Sequence, residues 1–309
     1  MQSGSEERPK GIGKILRALQ KARTGHGEAP SLSAAEAAPG PAVPTVNRAE
    51  PPERIADRHH DPDPHVVAFW EKGSEYAAQF RALRTKLLAP SSRRIPRVIV
   101  ITSGSRGEGK TTTATNLAVT FAEGEQARVL IVDADVYRPA VHRMLGVQAA
   151  KGINHVLNRD MDLRGVLYRT TIPNLDVLPA AADRTAPCSE TDFDAYGPEL
   201  FRRLRGYYDY IFIDTPPAIS TSHAAVIGRH SDGVILVVRA ERTPRQVVQR
   251  ALQELKAGGA EVIGCILTHM RHHIPRWLYR LLGTTPEHYY SYRRARPAEN
   301  RSQAVSQNR

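Results

Sequence analysis

The sequence predicts an α/β fold with a doubly wound, mostly parallel sheet, and three observations predict it. Val98-Ile99-Val100-Ile101 and Val234-Ile235-Leu236-Val237-Val238 are apolar without alternation, as expected of strands covered by helices on both faces. From about Arg97 to Leu267 such runs alternate with segments of helical periodicity, the pattern of βαβ units. A glycine-rich turn, Gly104 to Gly109, stands between the first strand and the first helix of that series.

The 309 residues suffice for one such domain with extended ends. Hydrophobic residues at 41% and charged residues at 24% exclude collagen-like, disulfide-scaffold and wholly disordered classes. Residues 1–23 form a basic amphipathic helix: Ile12, Ile15, Leu16 and Leu19 recur at helical spacing among Lys10, Lys14, Arg17 and Lys21. Such a helix grips an anionic membrane face, docks a partner, or folds back onto the domain. Residues 24–65, rich in Pro and Ala, read as a disordered linker, and its His59, His60 and His65 as solvated side chains. The folded domain is expected over 66–285, followed by a flexible basic tail over 286–309.

Within the domain, Ser74 caps a helix whose Tyr76, Phe80, Leu83 and Leu87 share one stripe. Then come a strand at 97–102, a helix at 110–122, a strand at 129–132, helical pieces near 140–145 and 153–157, and a short strand at 175–178. A strand at 210–213, a helix at 222–228 and a strand at 233–238 follow. Pro244, read as the first helical residue, opens a helix to about Lys256, and a buried strand at 262–267 closes the series. Cys265 in that last strand reads as core. Neither Cys188 nor Cys265 has a metal-ligand spacing, and two reduced thiols suit a cytoplasmic protein. No apolar stretch approaches the ~18 residues that a membrane span needs. The formal charge of +11 gathers partly at the two ends; without aromatic-basic alternation or a base-reading module it does not point to nucleic acid.

Gly104-Ser105-Arg106-Gly107-Glu108-Gly109-Lys110-Thr111 fits G-x-x-x-x-G-K-[ST] in the strand-to-helix context that the motif needs. In such a loop, here with Thr112 included, backbone N–H groups and the positive end of the helix cradle the phosphates of ATP. Lys110 reaches the β- and γ-phosphates, and the Thr111 hydroxyl ligates Mg²⁺.

Two further strands run into carboxylates, at Asp133-Ala134-Asp135 and at Asp214-Thr215-Pro216-Pro217. Ligands of open parallel sheets bind beyond the carboxyl ends of the strands, so these groups should converge on the glycine loop. Lys110, Asp133, Asp135 and Asp214 are therefore the expected catalytic set. Asp133 is placed as general base and, with Thr111 and Asp214, near the metal; Asp214 suits a water-mediated Mg²⁺ contact. Asp135 supports the metal or, alternatively, caps a helix N-terminus ahead of Pro139.

The phosphate loop, an apolar-apolar-apolar-Asp-x-Asp motif ending at Asp135, and an apolar-Asp-x-x-Pro motif at Asp214 and Pro217 resemble the bacterial tyrosine kinases (BY-kinases) of capsule and exopolysaccharide assembly in their stand-alone cytoplasmic form. The resemblance runs from about Ser74 to Tyr292. It implies a P-loop NTPase fold of the ParA/MinD-like (SIMIBI) type, with ATP and Mg²⁺ as cofactors. Phe80-Arg81-Ala82-Leu83-Arg84-Thr85 is similar to the family's E-x-x-R-x-x-R element, which implies a ring of copies with Arg81 and Arg84 at the subunit interface; Ala78 stands at the glutamate position. Tyr289, Tyr290 and Tyr292, three of eleven tyrosines, resemble the C-terminal cluster that neighbouring subunits phosphorylate. Tyr137 replaces an arginine of the second motif, with Arg138 next to it, and 180–192 lacks the family's Pro-Asn-Pro-x-Glu pattern. The family further implies a membrane adaptor or chain-length (co-polymerase) protein as partner, contacted by the basic helix or by the segment Trp277 to Leu282. It also implies a place at the inner face of the plasma membrane, and it admits a cognate tyrosine phosphatase.

Two other readings stay open. One is a ParA- or MinD-like ATPase switch, against which stands Ser105 in place of the lysine that follows the first loop glycine in those proteins. The other is a degenerate kinase that binds nucleotide and serves as an assembly subunit.

Overall fold

The computed structural model describes residues 49–55, 60–89, 95–123, 127–158, 162–180 and 189–270. The basic N-terminal helix, the first part of the linker, Cys188, the segment 277–282 and Tyr289, Tyr290 and Tyr292 lie outside the described residues. Two helices, α1 (Val67–Trp70) and α2 (Glu75–Leu87), precede β1 (Val98–Ser103), α3 (Lys110–Ala122), β2 (Val129–Asp133), α4 (Val141–Met144), α5 (Ile153–Leu157), β3 (Tyr168–Arg169) and β4 (Leu175–Leu178). Then follow α6 (Glu190–Arg205), β5 (Tyr210–Asp214), α7 (His223–Gly228), β6 (Gly233–Arg239), α8 (Arg245–Ala257) and β7 (Val262–Thr268). The sheet order is β3-β4-β2-β5-β1-β6-β7, parallel except for the antiparallel β3–β4 pair. The expected doubly wound α/β sheet is what forms.

Residues of a strand alternate between its faces, and here both faces are dry. Val98, Val100, Leu130, Val132, Ile211 and Ile213 point to one side and pack with Ile153 and Leu157 of α5 and Phe193, Phe201 and Leu204 of α6. Ile99, Ile101, Val129, Ile131, Tyr210 and Phe212 point to the other and pack with Leu117 and Phe121 of α3, against which Phe80, Leu83 and Leu87 of α2 rest. Each fully buried aliphatic side chain contributes about 1.5–3 kcal/mol, which explains why these strands carry no polar face. The amino ends of the strands are pinned by charge. Asp232 accepts the N–H groups of Arg97 and Val98, both at 2.8 Å, and pairs with Arg205 at 2.9 Å.

Several expectations are corrected. Helix α6 was not legible as a helix: Pro198 and Gly197 interrupt its pattern, although a Ser189–Asp192 capping box starts it and Phe193, Leu200, Phe201 and Leu204 bury one face. Pro244 is the N-cap of α8 and not its first residue, because its carbonyl, in an extended conformation, already accepts the N–H of Val247 at 3.0 Å. Among the described residues, strand β7 is an edge strand paired only with β6, so it is largely exposed and Cys265 is exposed with it. The end of the linker is docked on the domain. Ile55 bridges to β3 through Ile55 N–H to the Leu167 carbonyl, 2.8 Å, and Arg169 N–H to the Ile55 carbonyl, 3.1 Å. Farther along, the N–H groups of His60 and Asp63 donate to the carbonyls of Gly146 and Met144. Backbone pairing of this kind leaves no mark on composition. Among the described residues no group of three or more metal-ligating side chains occurs, and no helix is long and apolar enough to cross a membrane.

Phe212 joins the central strand to α3 by an edge-on contact with Phe121, ring centroids 5.0 Å apart. Phe212→Ala is expected to lower unfolding free energy by about 3–5 kcal/mol in urea denaturation; an unchanged midpoint would contradict the packing described.

Candidate active site

The glycine loop follows directly from β1. Gly107 (φ 76°) and Gly109 (φ 91°) occupy the left-handed region, which lets the chain fold back before α3 begins. Gly104 is needed for a different reason: a Cβ there would lie 2.9 Å from Cγ1 of Val247 on α8. The Ser103 hydroxyl donates to the Ser105 carbonyl at 2.8 Å. The Glu108 side chain turns inward, accepting Ser105 N–H at 3.1 Å and the Thr243 hydroxyl, while the Thr268 hydroxyl donates to the Glu108 carbonyl at 2.7 Å. The loop is therefore clamped from the β6–α8 connection and from the end of β7. Geometry leaves the first-turn N–H groups of α3 free for an anion.

Strands β1, β2 and β5 are neighbours, and their register sets Asp133 opposite Asp214 and Ile101 opposite Asp214. The carboxyl ends consequently deliver three acids to one lysine. Lys110 Nζ lies 2.7 Å from Asp135 Oδ2 and 3.6 Å from Asp214 Oδ2. Thr111 Oγ1 donates to Asp214 Oδ2 at 2.6 Å. Asp133 is fully buried and accepts three backbone N–H groups, from Asp135 at 3.1 Å and from Ala140 and Val141 at 2.8 and 3.0 Å. It thereby holds the start of α4, while Asp135 Oδ1 accepts Arg138 N–H at 3.1 Å and closes the intervening turn.

One cation cannot offset three buried acids. Burial alone would lower the Lys110 ammonium, but Asp214 and Asp135 outweigh it and hold it above the ordinary lysine range. Burial, reinforced by the charge of Asp214, pushes Asp133 up to about 7 against the pull of its backbone donors. Burial likewise pushes Asp214 up to about 6, although Lys110 and Thr111 oppose the shift. Asp214 Oδ1 is buried without a hydrogen-bond donor among the described residues. A partnerless carboxylate oxygen beside a threonine hydroxyl is a donor set that fits a small, hard cation carrying its own waters.

Other expected residues are placed as follows. Ser105, Arg106 and Gly107 lie on the exposed rim of the loop, and Thr112 lies in the first turn of α3. Arg81 donates to the Lys72 carbonyl at 2.7 Å, and Arg84 to the Thr120 carbonyl of α3 at 2.5 Å, so both arginines expected at a subunit interface bond within the chain. Tyr137 is half-exposed and stands edge-on to the buried His223, centroids 5.4 Å apart. Residues that the sequence did not single out are Thr243, Thr268 and Asn116. Asn116 accepts Ala68 N–H and donates to the carbonyls of His65 and Thr112, each at 2.9 Å. Their partners are mostly far away in the chain, so no local motif could reveal them.

A carboxyl group raised in the folded state binds protons that the unfolded chain has released, so its contribution to stability is complete below pH 4 and lost as pH rises through about 6. Asp214→Asn removes that loss. Relative to the parent, this variant should gain about 2–3 kcal/mol of unfolding free energy between pH 4 and pH 7 in urea titrations without nucleotide; a pH-independent difference would mean that Asp214 is not desolvated.

Residues 96–258, more than half of the chain, match the family described as AAA domain. The tyrosine-protein kinase YwqD of Bacillus subtilis (strain 168) is 30% identical over 203 residues, which cover 66% of this chain and 85% of YwqD. The crystal structure of the chimerical protein CapA2B2 superposes with a TM-score of 0.62 at 27% identity, covering 69% of this chain and 92% of that one. The septum site-determining protein MinD of Pyrococcus horikoshii OT3, solved with Mg-ADP, superposes with a TM-score of 0.50 at 30% identity, covering 60% and 76%. The likeness spans the sheet and its helices rather than the glycine loop alone, and the chain belongs to the AAA-domain family and, within it, to the bacterial tyrosine kinases.

Proposed function

We propose that this chain is an ATP-dependent protein-tyrosine autokinase that phosphorylates Tyr289, Tyr290 and Tyr292 of neighbouring copies and thereby regulates exopolysaccharide or capsule synthesis and export. The observation that carries this reading is the meeting of Lys110 Nζ with Asp135 and Asp214, which sets the loop lysine among carboxylates from two other strands. ATP would lie across the loop with its phosphates on the backbone N–H groups of 104–112 and on Lys110, which Asp135 keeps aimed at the loop mouth. Thr111 and Asp214, with Asp133 behind them, are the residues to hold Mg²⁺; bound there, the ion would neutralise charge on the phosphates.

In the transfer itself the acceptor phenol oxygen bonds to the γ-phosphorus, the bond to ADP breaks, and the phenol proton passes to a carboxylate. Asp133 is our choice of acceptor, since a carboxyl group brought to about 7 is matched to work near neutrality. Its Oδ1 accepts a single N–H, from Asp135, and keeps a lone pair for that proton. A phenol, with a pKa of about 10, asks less of this base than an aliphatic hydroxyl would. The remaining acceleration comes from positioning and from charge placed in advance by Lys110 and the loop amides. The same reading includes a cytoplasmic protein held peripherally at the inner face of the plasma membrane by a co-polymerase-type adaptor. It also includes a homo-oligomer, and a tyrosine phosphatase that resets the tail.

Incubating the purified full chain with Mg²⁺ and ATP, then mapping phosphotyrosine by mass spectrometry, tests the proposal. Phosphate is expected on the tail tyrosines, abolished by Lys110→Met and by the Tyr289/Tyr290/Tyr292→Phe triple variant. Asp133→Asn keeps an oxygen to accept from α4 and should retain nucleotide binding while transfer falls by about 10²–10⁴. Phosphate release without phosphotyrosine would favour a MinD-like switch, and nucleotide binding without turnover an assembly subunit.

A further inference from the structure

At the amino ends of β2 and β4, the end of the sheet opposite the phosphate loop, lies a cavity of about 520 Å³. Three arginines from separate segments reach it: Arg54 from the docked N-terminal stretch, Arg128 just before β2, and Arg169 of β3. Arg54 is fixed. It pairs with Asp176 at 2.8 Å, and Asp176 also accepts the Tyr208 hydroxyl at 2.9 Å. Arg128 gives one N–H to the Ala49 carbonyl at 3.2 Å. Arg169 is exposed, and its guanidinium makes no hydrogen bond or ion pair among the described residues. The bonds from Arg54 and Tyr208 both reach Asp176 Oδ2, Asp209 accepts the backbone N–H of Arg128 at 2.8 Å, and Glu50 is the other carboxylate of the lining, so the Arg169 guanidinium and the remaining N–H groups of Arg128 supply the spare donors. Converging arginines with spare donors favour a doubly charged, multi-oxygen anion such as a phosphate monoester. Thr170 and Asn174 add polar groups to the lining, and Pro51, Ile172 and Pro173 supply apolar surface against which a flat ring can lie.

We propose that this cavity is a phosphotyrosine site that captures the modified tail of a second copy of this chain; the assignment of that occupant rests on the autokinase reading. Charge argues for a modified tail over an unmodified one. Arg293, Arg294 and Arg296 follow the tail tyrosines directly, so an unphosphorylated tail meets like charge at Arg128 and Arg169. Phosphorylation adds roughly −1.5 to −2 charges and three acceptor oxygens at one tyrosine, which cancels most of the positive charge of Arg293, Arg294 and Arg296 and presents a compact anion to the arginines. A reaction at the carboxyl ends of the strands would then be read at their amino ends, linking copies according to their modification.

The test uses the full-length Tyr289/Tyr290/Tyr292→Phe variant, so that its own tail does not compete, and synthetic peptides of residues 284–297 with and without phosphotyrosine. Fluorescence anisotropy should show phosphopeptide binding at least ~10-fold tighter than that of the plain peptide, and an Arg128→Gln/Arg169→Gln variant should lose at least ~10-fold of it, while its affinity for ATP stays unchanged. Phenyl phosphate should compete better than inorganic phosphate. Phosphopeptide binding that ignores the double substitution, or competition by inorganic phosphate as strong as by phenyl phosphate, overturns the proposal. Because the peptide is synthetic, its binding stands or falls apart from catalysis: a chain that binds it but never phosphorylates its own tail would refute the autokinase and keep the pocket.

Discussion

Everything at the carboxyl end of the sheet depends on a charge imbalance, one lysine ammonium shared by buried carboxylates from two neighbouring strands. Lys110 is held at 2.7 Å from Asp135 and 3.6 Å from Asp214, with Asp133 buried behind them. Such a cluster is costly to the apo fold, since burial raises two of the acids above their ordinary range. A divalent cation and a polyanion arriving together would relieve it, because the cation answers the carboxylates and the phosphates answer the lysine. The stability given up without ligand is the same free energy that favours the loaded state.

Such a cluster persists only if its supports are rigid, and the supports come from the whole chain. Glu108 is turned away from the phosphate side and locked by Ser105, Thr243 and the close approach of β7 through Thr268. Asp133 accepts from Ala140 and Val141 and so positions α4, to whose last residue Met144 and the following Gly146 the N–H groups of Asp63 and His60 donate. Asn116 ties that same N-terminal stretch to Thr112 of the loop helix. The segment leading into the domain is therefore hydrogen-bonded both to the end of α4 and, through the Asn116 side chain, to α3.

The sheet also separates tasks by its polarity. Its carboxyl ends gather acids around a cationic loop, while its amino ends are held by Asp232 and Asp209 and, toward the β3 edge, present arginines around Asp176. Parallel strands make this division natural, because every crossover helix returns the chain to the same starting edge.

The fold and much of the pocket were legible because they are written in local patterns. Unbroken apolar runs at 98–101 and 234–238 mark strands with two dry faces, and a glycine loop between strand and helix followed by acids at two later strand ends marks a phosphate-binding edge. Helix α6 was hidden because Pro198 and Gly197 break its propensity while packing of Phe193 and Phe201 restores it. Strand β7 looked buried because its residues are apolar, but exposure depends on place in the sheet order and not on hydrophobicity. By itself the sequence determined the strand and helix order and the identity of the phosphate loop, since both follow from side-chain periodicity and glycine conformational freedom. Only the tertiary structure decided that Asp135 rather than Asp133 holds Lys110, that Arg81 and Arg84 bond within the chain, and that Ile55, His60 and Asp63 bind the domain, because these depend on backbone groups and distant partners that no local pattern encodes.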